Sequence, residues 1–318
     1  MTIGQTTYLT PAMLLSTNYG VDWTTFPKPG SLYPAQVAAQ QDMCAQVSSE
    51  MDTFSTTLRA TVNTEQEQGP DFLITTRANG WARMRLVNWP ILQIVSGQVS
   101  PSSSVPPTWT AIPSTALVTE HLALHPTGSI VPASSGPGPT AVLIAPGYVD
   151  WRNGRNGYVV QVTTISGFPV AGIDVAAHAG DLSVHVDDIT GWWNGTAGAR
   201  GTIFDPPYRE MATVAGVTPD VAGAISGPGT LTLATPLQFP HIPITGVGQA
   251  DQRILFSAMP SALINAGLYL ATYYGLVRGS TAGVMQSARG QTVPSGVKAA
   301  GSWREAALEL LKPYARVL

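Results

Sequence analysis

Residues from about 180 to 237 leave the chain little freedom of fold. "DLSVHVDDITGW" sets Leu182, Val184 and Val186 at every second position and then breaks at Asp187-Asp188. "GARGTIFD", "REMATVAGV" and "GTLTLATPL" follow, each bounded by Gly or Pro turns. A period of two is the signature of a half-buried strand. Strands spaced at ~10 residues leave no room for crossover helices, so they pair antiparallel in a small sandwich or barrel. His185, between two inward valines, takes the outward face and needs no function to explain it.

Helical sequence brackets this block. "LTPAMLL" predicts one turn with Pro11 at its first position. A long helix is expected from about Pro34 to Leu58. In it Cys44, Val47, Met51, Phe54 and Leu58 step by 3, 4, 3 and 4, a narrow apolar seam with neutral polar flanks. Such a seam suits packing between neighbouring subunits, and equally a helix that caps its own domain's sheet. From Thr57 to Val99 the pattern is strand-like, with Asn79-Gly80 as a turn. "AVLIAPGYVDW" and "GYVVQVTTISGF" read as two strands around the turn "RNGRNG".

A second helix is expected from Pro260 to about Arg278, with Leu263, Ala266, Leu270, Tyr274 and Val277 as its stripe and Gly279 as its cap. The last helix is expected to open at Ser302, three residues before Glu305 as a capping box requires. Ala306, Leu310 and Leu311 would form its apolar face, and Pro313 its stop. The fold class expected is α+β. A small helical core, 1–99 with 251–318, would carry a large inserted antiparallel β-sandwich or barrel-like module, 100–250. No repeat of 20 to 50 residues is present.

Charged residues are only 11% of the chain against a usual ~25%, while hydrophobic residues are 44%. Such a chain can bury a core but has few charges for its surface. That surface is therefore largely neutral polar or partly covered by other subunits. The net charge of −3 gives no general nucleic-acid footprint. Cys44 is the single cysteine, which excludes an internal disulfide and a multi-cysteine zinc site. The start of the chain lacks a signal-peptide pattern, and no run approaches ~20 apolar residues. The expectation is a soluble protein with no membrane partner.

Catalytic signals are weak. His121 and His125 are four apart beside Glu120, but prolines surround them and the glutamate of a zinc-protease motif is missing. "SGVK", Ser295 to Lys298, matches Ser-x-x-Lys without companion motifs. "GPGPT" and "GVGQA" lack a phosphate loop's Lys-Ser/Thr ending. Asp187, Asp188 and Asp205 are candidates for carboxylate chemistry, although Asp-Asp before Ile-Thr-Gly is an ordinary turn. Trp192 and Trp193 would face opposite ways on a strand, so packing is a better account of them than a sugar platform. Asn194 to Thr196 is a glycosylation sequon in turn sequence. Arg152 and Arg155 sit on a tight loop, either a solvated hairpin tip or a contact to a neighbour or to DNA. No catalytic, cofactor or metal residue is assigned, and the expectation is no enzyme.

"MPSALINAGLYLATYYGLVRG", a loop with "QSARG", and "SWREAALELLKPYARVL" together resemble the C-terminal half of phage head-to-tail adaptor proteins, the head-tail connectors of long-tailed phages. "YLTPAMLL", the long helix and "NWPILQIVSGQVS" are similar to that family's front half. The resemblance covers about half of the chain. The β-rich stretch departs from the compact family core and looks like short β-modules of phage structural proteins.

The resemblance implies a virion neck protein, made in the host cytoplasm and assembled as a homo-oligomeric ring, expected as a dodecamer. Below the portal such a ring would extend the DNA channel, pass DNA without sequence specificity, and bind the portal protein and the next neck protein. It implies no catalytic site and no cofactor. On this view Lys312, Pro313, Tyr314, Arg316, Val317 and Leu318 dock on the portal, and the Cys44-to-Leu58 seam lies between subunits. Each large apolar side chain so buried would contribute ~1.5–3 kcal/mol. The alternatives are another tail or baseplate structural protein, or a carbohydrate-binding or hydrolytic β-module using Trp192, Trp193 and the aspartates.

Overall fold

The structure is a computed structural model. It describes residues 7–17, 19–24, 26, 33–55, 58–68, 74–76, 81–101, 103–120, 141–149, 157–192, 199–244, 253–277 and 296–314. The class is α+β. The chain forms two compact units, one of residues 1–58 with 169–318 and one of residues 59–168.

The 59–168 unit has two four-stranded antiparallel sheets. One orders β1 (Thr61–Gln68), β8 (Tyr158–Ser166), β4 (Ile91–Pro101) and β5 (Thr110–Ile112). The other orders β2 (Ile74–Thr76), β3 (Ala82–Arg85), β7 (Ala141–Ile144) and β6 (Leu117–Glu120). Met84, Val142 and Ile144 from the second sheet share one apolar cluster with Val99, Val160 and Val162 from the first. Strand alternation puts neutral polar residues on the other face of the first sheet. Thr64, Thr163 and Ser96 form one cross-strand rank, and Gln66, Gln161 and Gln98 another. These ranks are a solvent face built with few charges.

The other unit contains a closed six-stranded barrel, ordered β10 (Ser183–Val186), β13 (Gly229–Leu233), β12 (Tyr208–Pro219), β11 (Arg200–Asp205), β14 (Ile254–Ser257) and β9 (Val170–Ile173). Val184, Val186, Ile203, Val214, Leu231 and Phe256 point inward. Trp192 packs on Phe256 at 4.4 Å between ring centroids. Gly201 makes this stack possible, since a Cβ there would stand 2.7 Å from both rings.

Among the described residues four α-helices complete the unit: α1 (Pro11–Leu15), α2 (Tyr33–Ser55), α3 (Ser261–Val277) and α4 (Gly296–Leu311). Thr10 caps α1, its hydroxyl accepting from Met13 N at 3.3 Å. Val37, Met43, Cys44, Val47 and Met51 of α2 are buried. The contact with α3 is close at Gly267, where a Cβ would come within 3.1 Å of Met51 Sδ. Among the residues of α4 whose burial is described, Ala307 and Leu311 are buried. Trp303 of α4, Tyr269 of α3 and Tyr19 form a ring cluster with centroids 5.1–5.4 Å apart. Tyr274 donates to Glu50, which lies 4.0 Å from Arg304, so α2, α3 and α4 are also joined by polar contacts.

Several expectations are corrected. The stretch 100–250 is not one inserted module. Residues 100–168 belong with 59–99, and the barrel belongs with the helices. Strand pairing decides this, because β4 pairs with β8 across more than fifty residues of sequence. β7 and β8 do not form a hairpin but lie in different sheets. α4 begins at Gly296, so Ser302 and Glu305 fall inside the helix and form no capping box at its start. Its inward face is Ala307 and Leu311; Ala306 and Leu310 are only partly covered. Ser261, not Pro260, is the first residue of α3, and Pro260 O accepts from Leu263 N at 2.9 Å. Asn79-Gly80 and Gly279 lie outside the described residues.

Candidate functional site

The densest chemistry lies at the β11–β12 hairpin. The sequence "IFDPPYRE" folds back at Pro206-Pro207, pairing Asp205 with Tyr208, Phe204 with Arg209 and Ile203 with Glu210. Alternation then divides these residues between two faces. Ile203 lies in the barrel, so Asp205 and Glu210 share its face, while Phe204 and Arg209 share the other.

On the barrel side the two carboxylates converge on His241, whose side chain is fully buried. His241 Nδ1 lies 3.0 Å from Asp205 Oδ2, and Nε2 lies 2.9 Å from Glu210 Oε1. A histidine with a carboxylate beside each ring nitrogen can donate to both only as the imidazolium. Burial pulls its pKa down, but the hydrogen bonds and charges of Asp205 and Glu210 outweigh this and raise it above the usual 6.5. Glu210 also accepts from Gln238 N at 2.9 Å. His241 in turn exchanges backbone hydrogen bonds with Ala177, at 2.8 and 2.9 Å. The cluster thus ties the hairpin to the segment that carries His241.

His185 repeats the motif on the outer surface, 2.6 Å from Asp174 and 3.1 Å from Asp220. Its pKa is also raised, with burial opposing and the two aspartates prevailing.

On the other face of the hairpin is a cleft of ≈ 210 Å³. α1 and its end supply Met13, Ser16 and Thr17, the hairpin supplies Phe204, Pro206 and Arg209, and α3 supplies Ser261, Ile264, Asn265 and Leu268. The Arg209 guanidinium lies 4.6 Å from the centroid of the Phe204 ring, a cation–π contact that their cross-strand pairing allows. Among the described residues Arg209 has no ion-pair partner. Ser16 and Thr17 hydroxyls both donate to Met13 O, at 2.8 and 2.6 Å, so their lone pairs remain available to accept.

Those of the residues singled out in the sequence that the structure describes are not brought together into one site. Asp187 accepts from Gly172 N at 2.7 Å and pairs with Arg253. Asp188 caps the Thr190 turn and accepts from Gly227 N. Asp205 belongs to His241. Trp192 is buried in the barrel and offers no sugar platform. Trp193, Arg152, Arg155, His121 and His125 lie outside the described residues, as does the sequon. Among the described residues no group of three or more His, Cys, Asp and Glu could hold a metal ion.

The seam expected between subunits is corrected. Cys44, Val47 and Met51 are buried within their own unit, Leu58 is buried beyond the end of α2, and Phe54 alone is partly exposed. The helix turns this stripe toward α1 and α3 because those elements supply the apolar partners. Burial also pushes the Cys44 thiol pKa up, leaving an unreactive group.

At the chain end Lys312 and Pro313 are exposed and Tyr314 is half-buried, with its pKa raised by burial. Arg316, Val317 and Leu318 lie outside the described residues. Sequence reasoning passed over His241, Arg209 and Phe204. The available signal was "FDPPYRE", since a two-proline turn fixes which residues face each other across the hairpin.

No protein-family model, no curated protein and no solved structure matches this chain.

Proposed function

We propose that the chain is a structural adaptor of a phage neck, assembling as a ring below the portal and joining capsid to tail. The observation that supports this most is the end of α4. Leu311 is its last buried side chain, and Lys312 and Pro313 emerge exposed directly after it. We read "KPYARVL" as a docking tail that follows a helix packed on α3, with Lys312 and Pro313 exposed and Tyr314 half-buried. The titratable residues fit the same reading. Asp187, Asp188, Asp205 and Glu210 each make a structural contact, as expected of a protein whose work is assembly. The helical residues of the family resemblance form one body with the barrel, so the barrel is a fixed part of the proposed subunit and not a loose appendage.

Two measurements test the proposal. Electron microscopy of the purified chain should show a ring with a central channel. Deletion of residues 312–318 should abolish co-assembly with portal rings while leaving the circular dichroism spectrum unchanged. A chain that stays monomeric at every concentration, with and without portal rings, would overturn the adaptor reading.

A further inference from the structure

We propose that the cleft between α1, α3 and the β11–β12 hairpin is a socket for a carboxylate on a short aliphatic stem, presented as a glutamate side chain by an acidic segment of a different polypeptide. Among the described residues that line the cleft, Arg209 is the one charged side chain and none is acidic. The two acids nearest in the hairpin, Asp205 and Glu210, face the opposite way and are held by His241 at 3.0 and 2.9 Å. Barrel geometry therefore leaves the guanidinium without an ion-pair partner among the described residues. Arg209 is exposed, and the Phe204 ring lies 4.6 Å from its guanidinium on one side, leaving its five donors free for a ligand.

Part of the remaining lining would hold the stem, the rest including the hydroxyls of Ser16, Thr17 and Ser261. Ile264 and Leu268 of α3 and Met13 of α1 are apolar, and Asn265 adds a neutral side-chain donor beside them. A carboxylate at Arg209 would place its methylenes against these residues, combining a charge-assisted hydrogen bond with apolar burial. At ≈ 210 Å³ the space lies below the ~300–1,000 Å³ of sites for drug-sized ligands and cofactors. It suits one side chain of a chain that continues outside. A single cation with no second charged group orients an anchor residue, not a multiply charged metabolite. The charge and the size together select an acidic peptide segment.

The test uses the full chain, labelled for NMR, with a blocked pentapeptide, acetyl-Ala-Leu-Glu-Leu-Ala-amide, and the same peptide with Gln for Glu. The glutamate peptide should give saturable shifts at the Arg209 Nε–H, the Asn265 side-chain amide and the Ile264 and Leu268 methyls. The Gln peptide should bind at least tenfold more weakly. Arg209→Gln should lower affinity for the glutamate peptide by at least tenfold without altering the weak binding of the Gln peptide. Unchanged Ala177 and His241 amide resonances serve as the fold control for this variant. Equal binding of the two peptides, or full affinity in Arg209→Gln, would refute the charge assignment. Butyrate binding as tightly as the peptide would make this a small-molecule site and overturn the polypeptide assignment. Concentration-dependent shifts of the same resonances without peptide would assign the cleft to a second copy of the chain and overturn it equally. Absence of any saturable shift at these residues would end the proposal.

Discussion

Replacing His241 with leucine removes the cation between Asp205 and Glu210 and leaves two carboxylates facing each other at the end of the barrel. The His241 side chain is 0% exposed and that of Glu210 only 8%, so water has little access to either. Hydrogen bonds to charged groups are worth ~1.5–3 kcal/mol each, and breaking a buried ion pair by removing one partner costs ~3–5 kcal/mol. The second figure governs here, because the carboxylates stay behind. Asp205 is partly exposed and recovers some hydration, which places the expected loss toward ~3 kcal/mol.

The readout is hydrogen exchange of the Ala177 and His241 amides, which bond to each other's carbonyls at 2.9 and 2.8 Å. Their exchange reports opening of this part of the barrel directly, whereas bulk unfolding of a chain with two compact units need not be two-state. At ~1.4 kcal/mol per tenfold, exchange should accelerate by about a hundredfold or more. Replacing all three residues together, His241→Leu with Asp205→Asn and Glu210→Met, should recover much of the loss, because no buried charge is then left unpaired. An acceleration below about tenfold in the single variant would show that the carboxylates are not held by His241 as described.

pH should act through the same residues. His241 and His185 both have folded pKa values raised above 6.5. The folded state then binds more protons than the unfolded state above pH ~6.5, so stability is full below that value and falls as pH rises through the folded pKa values. Urea titrations from pH 6 to 9 should show a falling midpoint, and a midpoint that rises across this range would contradict the assignment. Met51→Ala empties a fully buried site against α3 and should cost ~2–5 kcal/mol. The loss should not vary with protein concentration; a concentration-dependent loss would restore the seam to a subunit interface. Gly167→Ala should destabilise the 59–168 unit by at least ~1–3 kcal/mol, since φ is +112° and a Cβ would lie 2.4 Å from Arg59 O. Limited proteolysis should find new cleavages in that unit, and an unchanged digestion pattern would argue against the strain.

The strands of residues 180–237 were legible because alternation is a local property. Val184 and Val186 announce their face without reference to any other segment, and β10, β11, β12 and β13 fall where the pattern puts them. α1, with Pro11 at its first position, was legible for the same reason. The extent of α4 was not. Ser302 and Glu305 have the spacing of a capping box, but spacing alone does not say where a helix begins, and the helix starts earlier, at Gly296. The seam of α2 was visible, but its partner was not. A stripe of Cys44, Val47 and Met51 requires burial without specifying whether α3 or another subunit supplies it.

The residues alone determined that this chain is an α+β protein with a small antiparallel β-block, few surface charges and a proline-terminated final helix. Those properties follow from periodicity and composition, which act over a few neighbouring residues. Tertiary structure alone decided that the barrel is closed by β9 and β14, strands separated by some eighty residues of sequence. It also decided that His241 meets Asp205 and Glu210, 36 and 31 residues away. No local pattern encodes such meetings; they exist only once backbone hydrogen bonding has closed the sheet and fixed which side chains share its interior.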